Sequence, residues 1–217
     1  MSRRIREPEV DRSAGEPQSP KPADPHPAIP RPSAWLTRWI GKPRGDARLL
    51  DFASGSGRHA RLALARGFRV LAVDRDRALL DMDEVKDLEL RVEDLESGRW
   101  SFSAERFQVV VVTNFLHRPR LDLLPALLAT GGRLVYETFA LGNADYGKPS
   151  NPAFLLQPDE LFLLARRANL QVVAFEQGYV ATPKPALVQR LVAVRQPGDV
   201  ESLPLSTPPA GSDAALS

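Results

Sequence analysis

The chain reads as an α/β protein: one doubly wound domain on a mostly parallel sheet of about seven strands, ending in an antiparallel terminal hairpin. Three observations predict this. Short apolar stretches alternate with amphipathic ones between residues 33 and 195, the pattern of strands joined by crossover helices. Residues 107–113 carry four consecutive valines, as in a strand buried on both faces. The last two apolar stretches are joined only by ATPKPA, too short for a crossover helix, so they must pair antiparallel. With 217 residues and 43% hydrophobic content, the chain can bury one substantial core.

Each element follows from local pattern. Trp35 and Trp39 lie four residues apart, on one face of a short helix that either packs on the core or walls a ligand. Leu49 and Leu50 begin the first strand, and residues 58–65 form the first crossover helix. Residues 70–73 form the next strand, with Asp74 at its carboxyl end, and residues 88–92 a third that runs into Glu93, Asp94 and Leu95. The valine strand ends at Asn114. A helix is expected over residues 121–129, introduced by Pro119 and stopped by Gly131 and Gly132, before a strand over residues 133–137. Pro158, Asp159 and Glu160 open a helix that runs to Ala168, with Asn169 as its cap. Residues 171–180 and 187–194 are the closing pair.

The ends read differently. Residues 1–32 hold eight of the 20 prolines with mixed charges, and residues 196–217 are similar, so both are expected to be disordered around a domain spanning 33–195. The formal charge of +2 is spread without a basic run, and nucleic acid is not an expected partner. The absence of cysteine excludes disulfides, thiolate nucleophiles, thiolate zinc sites and cysteine-held clusters. Arg3 and Arg4 precede acids and prolines rather than an apolar segment, so a cytoplasmic location without membrane contact is expected, and no metal ligand set is evident.

Chemistry concentrates in RLLDFASGSGRHA, residues 48–60, and in Asp74 nineteen residues after Gly55. A strand that turns on close glycines into a helix makes a nucleoside-binding corner, because Gly55 and Gly57 permit a tight turn and close backbone approach. An acid at the next strand end can accept both hydroxyls of a ribose, which assigns Asp74, with Arg75 beside it. Gly55, Gly57 and Ala60 also fit a dinucleotide fingerprint, so glycines alone leave NAD open. Asp51 repels a pyrophosphate and attracts an ammonium group, favouring S-adenosyl-L-methionine, although Arg58 and His59 can offset that charge. Arg58 and His59 themselves read as exposed helix-start residues.

These segments, with RVEDLE, VVVVTNFLHRP and GGRLVYETFA, resemble class I S-adenosylmethionine-dependent methyltransferases, and within them the small bacterial enzymes related to the tellurite-resistance type. The resemblance implies a Rossmann-like methyltransferase fold. It also implies that Asp51 holds the methionine amino group, that Asp94 and Leu95 meet the adenine, and that Asn114 lines the methyl-transfer site. Ala53 stands where the family often has glycine, so backbone approach there is more restricted.

Acceptor-side candidates are Asn114, His117, Glu137 and Tyr146, of which His117 reads more often as a local hydrogen-bonding or packing residue and Glu137 should face opposite to Tyr136. The long connection over residues 141–157 is expected to form a substrate-side lid. The residues after the valine strand lack the Asn-Pro-Pro-Tyr pattern of adenine and glutamine amino-group methyltransferases. A small-molecule acceptor is therefore expected, with a protein side chain as a further option and nothing selecting a chalcogen oxyanion. Two other classes stay open: an NAD-dependent oxidoreductase and a noncatalytic S-adenosylmethionine-binding protein. The oligomeric state is not legible.

Overall fold

The computed structural model describes residues 31–76 and 85–196. The expectations for residues 1–30 and 197–217 lie outside the described residues. Seven strands form one sheet: β1 (Arg48–Phe52), β2 (Arg69–Asp74), β3 (Leu88–Val92), β4 (Phe107–Thr113), β5 (Leu128–Phe139), β6 (Leu170–Val180) and β7 (Ala186–Arg195). Their order is β3-β2-β1-β4-β5-β7-β6. The first five are parallel, while β7 runs antiparallel to both β5 and β6, as the short ATPKPA link requires.

Both faces of this sheet are covered. Helices α1 (Ala34–Trp39) and α2 (Arg58–Ala65) pack Trp35, Trp39, Ala60 and Ala63 against Leu49, Val70, Val109, Val111 and Val135. Across the sheet, α3 (Arg118–Leu121) and α4 (Glu160–Arg167) bring Leu121, Leu161 and Leu164 against Leu50, Phe52, Val110, Val112 and Leu134. Adjacent residues of β1 and β4 thus serve opposite cores, which is why the valine run has no polar alternation. The Trp35 ring packs 5.6 Å from that of Trp39, and its indole N–H donates to the Leu191 carbonyl at 3.4 Å. Of the two readings of this pair, the structure selects packing on the core.

The expected helix over residues 121–129 does not form. Proline at 125 lacks the N–H of a helical residue, and its ring would meet the carbonyl of Leu121, so α3 stops there and a short 3-10 turn spans Leu124–Leu127. Strand β5 then begins five residues earlier than predicted, at Leu128. Its register against β4 jumps between Phe107↔Leu128 and Val109↔Arg133, and the bulge contains both glycines. A Cβ on Gly132 would lie 2.8 Å from the carbonyls of Ala129 and Phe107, so the backbones approach too closely for any other residue.

Strand order reverses between β1 and β4, which opens a crevice at their carboxyl ends. Phe52 is in register with Val73 and with Val112, so the chain after β1 emerges beside Asp74 and Thr113. No described helix is long and apolar enough to cross a membrane.

Candidate functional site

The crevice holds a cavity of about 420 Å3. Its walls are residues 53–56 and Arg58 after β1, Asp74 and Arg75 after β2, residues 94–96 after β3, and residues 113–115 at the end of β4. Four segments far apart in sequence therefore converge because each leaves the sheet at the same edge.

Asp74 organises the turn. One of its carboxylate oxygens accepts from the Gly55 amide at 2.8 Å and the other from the Asp76 amide at 3.1 Å. Further lone pairs stay available for ligand hydroxyls. Gly55 (φ 53°) has open space where a side chain would stand, which leaves room for a ligand against its backbone. Gly57 (φ 70°) is buried and shapes the entry to α2 without lining the cavity. Ala53 adopts φ 59°, the left-handed conformation that glycine reaches without strain, and Asn114 across the crevice adopts φ 51°.

Asp51 sits behind this turn and is fully buried. One oxygen accepts from the Ala60 amide at 2.9 Å, while the other has no partner among the described residues. Burial pushes its carboxyl up to about 7, opposed by the Ala60 N–H and by Arg58 and reinforced by Asp74. An orphaned buried carboxylate oxygen next to a nucleoside-shaped turn fits an ammonium group, reached directly or through water.

Two expectations about the start of α2 are corrected. Arg58 lines the cavity, and His59 is 3% exposed, because the tight Gly57 turn aims the first helical residues inward rather than to solvent. The His59 Nε2 accepts from the Ser33 amide at 3.2 Å, and its Nδ1 lies 3.2 Å from the Thr113 hydroxyl. Burial, aided by Arg58, pushes this imidazole down to about 3.

Asp94 accepts from the Glu96 amide at 2.9 Å and the Ser97 hydroxyl at 2.7 Å, and these bonds, Ser97 first, hold its carboxyl below the usual range. The loop it begins is clamped by Arg120, which donates to the carbonyls of Leu95 at 3.0 Å, Ser97 at 2.5 Å and Gly98 at 2.7 Å. No local pattern announced this arginine; its contacts are purely tertiary. Ser54, Ser56, Glu96, Thr113 and Phe115 also line the cavity without having been predicted. All are adjacent to residues that were.

On the acceptor side, Asn114 lines the cavity, but the structure does not bring the other three candidates to it. His117 stands half-buried at the start of α3. Glu137 is turned to the α1 face, where Arg190 donates to it at 2.5 Å, and Tyr136 on the opposite face donates to the Phe115 carbonyl at 2.8 Å. Tyr146 packs 5.2 Å from the ring of Tyr179 on β6.

The expected lid is also corrected. Arg118 makes a two-point pair with Glu160 (both 2.9 Å) and donates to the carbonyls of Ala153 and Leu155, while buried Asn143 bridges Pro149 and Leu187. These ties hold residues 141–157 against β7 and α3, and none of those residues lines the cavity. Among the described residues, no group of three or more histidines or acids is placed to hold a metal.

The comparison with solved structures identifies the architecture. The chain superposes on TehB from Haemophilus influenzae with a TM-score of 0.58 at 16% identity, covering 70% of this chain and 58% of that one. A SAM-dependent methyltransferase from Methanosarcina mazei matches with a TM-score of 0.57 at 17% identity, covering 76% and 98%.

The fold is that of the class I S-adenosylmethionine-dependent methyltransferases.

This methyltransferase fold is not tied to one reaction, since the 4+2 cyclase SpnF shares it with a TM-score of 0.57 at 12% identity, covering 74% of this chain and 78% of that one. No protein-family model matches the chain, and no curated protein matches it in sequence.

Proposed function

We propose that the chain binds S-adenosyl-L-methionine and transfers its methyl group to a small-molecule acceptor. One observation carries this reading: Asp74 and Asp51 flank the same glycine turn, the first at the cavity wall and the second buried behind it with an unpartnered oxygen. That is two acceptors where a ribose diol and an ammonium group need them. A dinucleotide would instead bring a pyrophosphate to the turn, where a buried carboxyl is unfavourable.

When bound, the sulfonium supplies an already activated methyl carbon. The chain contributes alignment. Asp74 accepts the ribose hydroxyls, the clamped loop at Asp94 and Leu95 borders the adenine, and Asn114 faces the acceptor. In-line displacement depends mainly on positioning and on exclusion of water, so no acid or base is compulsory. This agrees with a cavity wall that holds none of His117, Glu137 and Tyr146.

Calorimetric titration with S-adenosylhomocysteine and with NAD tests the cofactor, with binding expected only for the first. Binding of NAD alone overturns the proposal. Formation of S-adenosylhomocysteine from S-adenosylmethionine in the presence of a metabolite pool separates a catalyst from a noncatalytic binder.

A further inference from the structure

His59 lies between two polar partners whose chemistry fixes its hydrogen. The Ser33 backbone amide can only donate, so Nε2 must be an acceptor. The imidazole is neutral under ordinary conditions, as its burial requires, so its one hydrogen is on Nδ1. Nδ1 faces the Thr113 hydroxyl oxygen, which therefore accepts. His59 is the one polar partner of that hydroxyl among the described residues. The Thr113 hydrogen is then left to point elsewhere, and Thr113 is a residue of the cavity wall.

The neighbours define what it would meet. Arg58 lines the same cavity and is close enough to act electrostatically on both Asp51 and His59. Asp51 presents the orphaned oxygen. A cation and a hydroxyl donor at the cavity wall, with a buried carboxyl behind its glycine turn, match a zwitterion: the carboxyl takes the ammonium, and the donors take the carboxylate.

We propose that Thr113 donates its hydroxyl hydrogen to the carboxylate of a bound nucleoside amino acid, beside Arg58, and that His59 is the positioning residue that compels this direction. The proposal rests on the cofactor reading above and adds to it the side chain that holds the carboxylate end of that ligand and the residue that orients it. Because Ser33 caps α1, the same chain of bonds ties the entry of that helix to the ligand wall.

The test compares S-adenosylhomocysteine with its decarboxylated analogue, which keeps the amine. Thr113→Val should weaken the first by at least about tenfold and the second by less than about twofold, the scale of one hydrogen bond to a charged group. Thr113→Ser should restore the discrimination, and His59→Leu should lose it. Nitrogen NMR of labelled histidine in the unliganded protein should show hydrogen on Nδ1 of His59. Hydrogen on Nε2, or equal losses for both ligands in Thr113→Val, overturns the proposal alone. A wild-type protein that binds neither ligand overturns the cofactor reading and this proposal with it.

Discussion

The Gly55 amide donates to the Asp74 carboxylate at 2.8 Å, so the acid that ends the second strand fixes the turn that follows the first. The residue proposed to accept ligand hydroxyls thus also shapes the turn that walls the cavity. Asp74→Ala should lower affinity for S-adenosylhomocysteine by at least about tenfold, since it removes an acceptor and loosens the turn. Asp74→Asn keeps one acceptor oxygen and should lose less. Calorimetry on both variants checks the order, and equal affinities in all three proteins would remove Asp74 from the site.

Asp51 should make both stability and ligand binding depend on pH. Its carboxyl titrates near 7 in the folded chain and near 3.8 when unfolded, so the folded state holds the proton more tightly. The stability this contributes is full below about pH 4 and is lost as pH rises through 7. Asp51→Asn should therefore be more stable than the wild type at pH 8, by on the order of a few kcal/mol at most, and melt higher, with the advantage shrinking toward pH 5. Ligand binding runs the other way, because an ammonium group favours the ionised carboxylate. Affinity for S-adenosylhomocysteine should rise from pH 5 to pH 8 in the wild type and stay nearly flat in Asp51→Asn. Melting curves and titrations at both pH values decide the signs.

Ala53 is strained by its φ of 59°. A left-handed alanine costs about 1–2 kcal/mol, whereas glycine adds about 0.4–1 kcal/mol of unfolded-state entropy and forfeits a partly buried methyl worth at most about 0.8 kcal/mol. These nearly cancel. Ala53→Gly should shift stability by no more than about 1 kcal/mol, while a β-branched Ala53→Val should cost more than the glycine variant in every case. Urea midpoints at unchanged slope are the measure.

What was legible in the sequence follows the range of the forces involved. Helix α2 and strands β3 and β4 fell at their predicted residues because their limits are set by adjacent side chains and glycines. The place of Asp74, Asp94 and Asn114 on the cavity wall was legible for a related reason: each lies at or just beyond a strand end, and this topology opens its crevice there. The helix expected over residues 121–129 does not form because Pro125 breaks it before the stop at Gly131 is reached. His59 was misread because its burial depends on Thr113, 54 residues away, and on Ser33, 26 residues away. The Arg120 clamp joins residues 22 to 25 apart and has no periodic or compositional trace.

The sequence predicts a substrate-side lid over residues 141–157, and the bonds of this connection predict instead that it stays fixed. The Asn143 side chain is 1% exposed, donates to the Pro149 carbonyl at 3.0 Å and accepts from the Leu187 amide at 3.1 Å. Asn143→Leu would leave both backbone groups without this partner, at a cost of about 1–3 kcal/mol each if they stay buried. Gln189 makes a second brace, accepting from the Leu161 amide at 3.2 Å and donating to the Gln157 carbonyl at 2.5 Å. Limited proteolysis within residues 141–157 should therefore be slow in the wild type, faster in Asn143→Leu, and unchanged by S-adenosylhomocysteine in either protein. Protection by the ligand would restore the lid, because a segment braced on β7 and outside the cavity wall has no contact there through which a bound nucleoside could shield it.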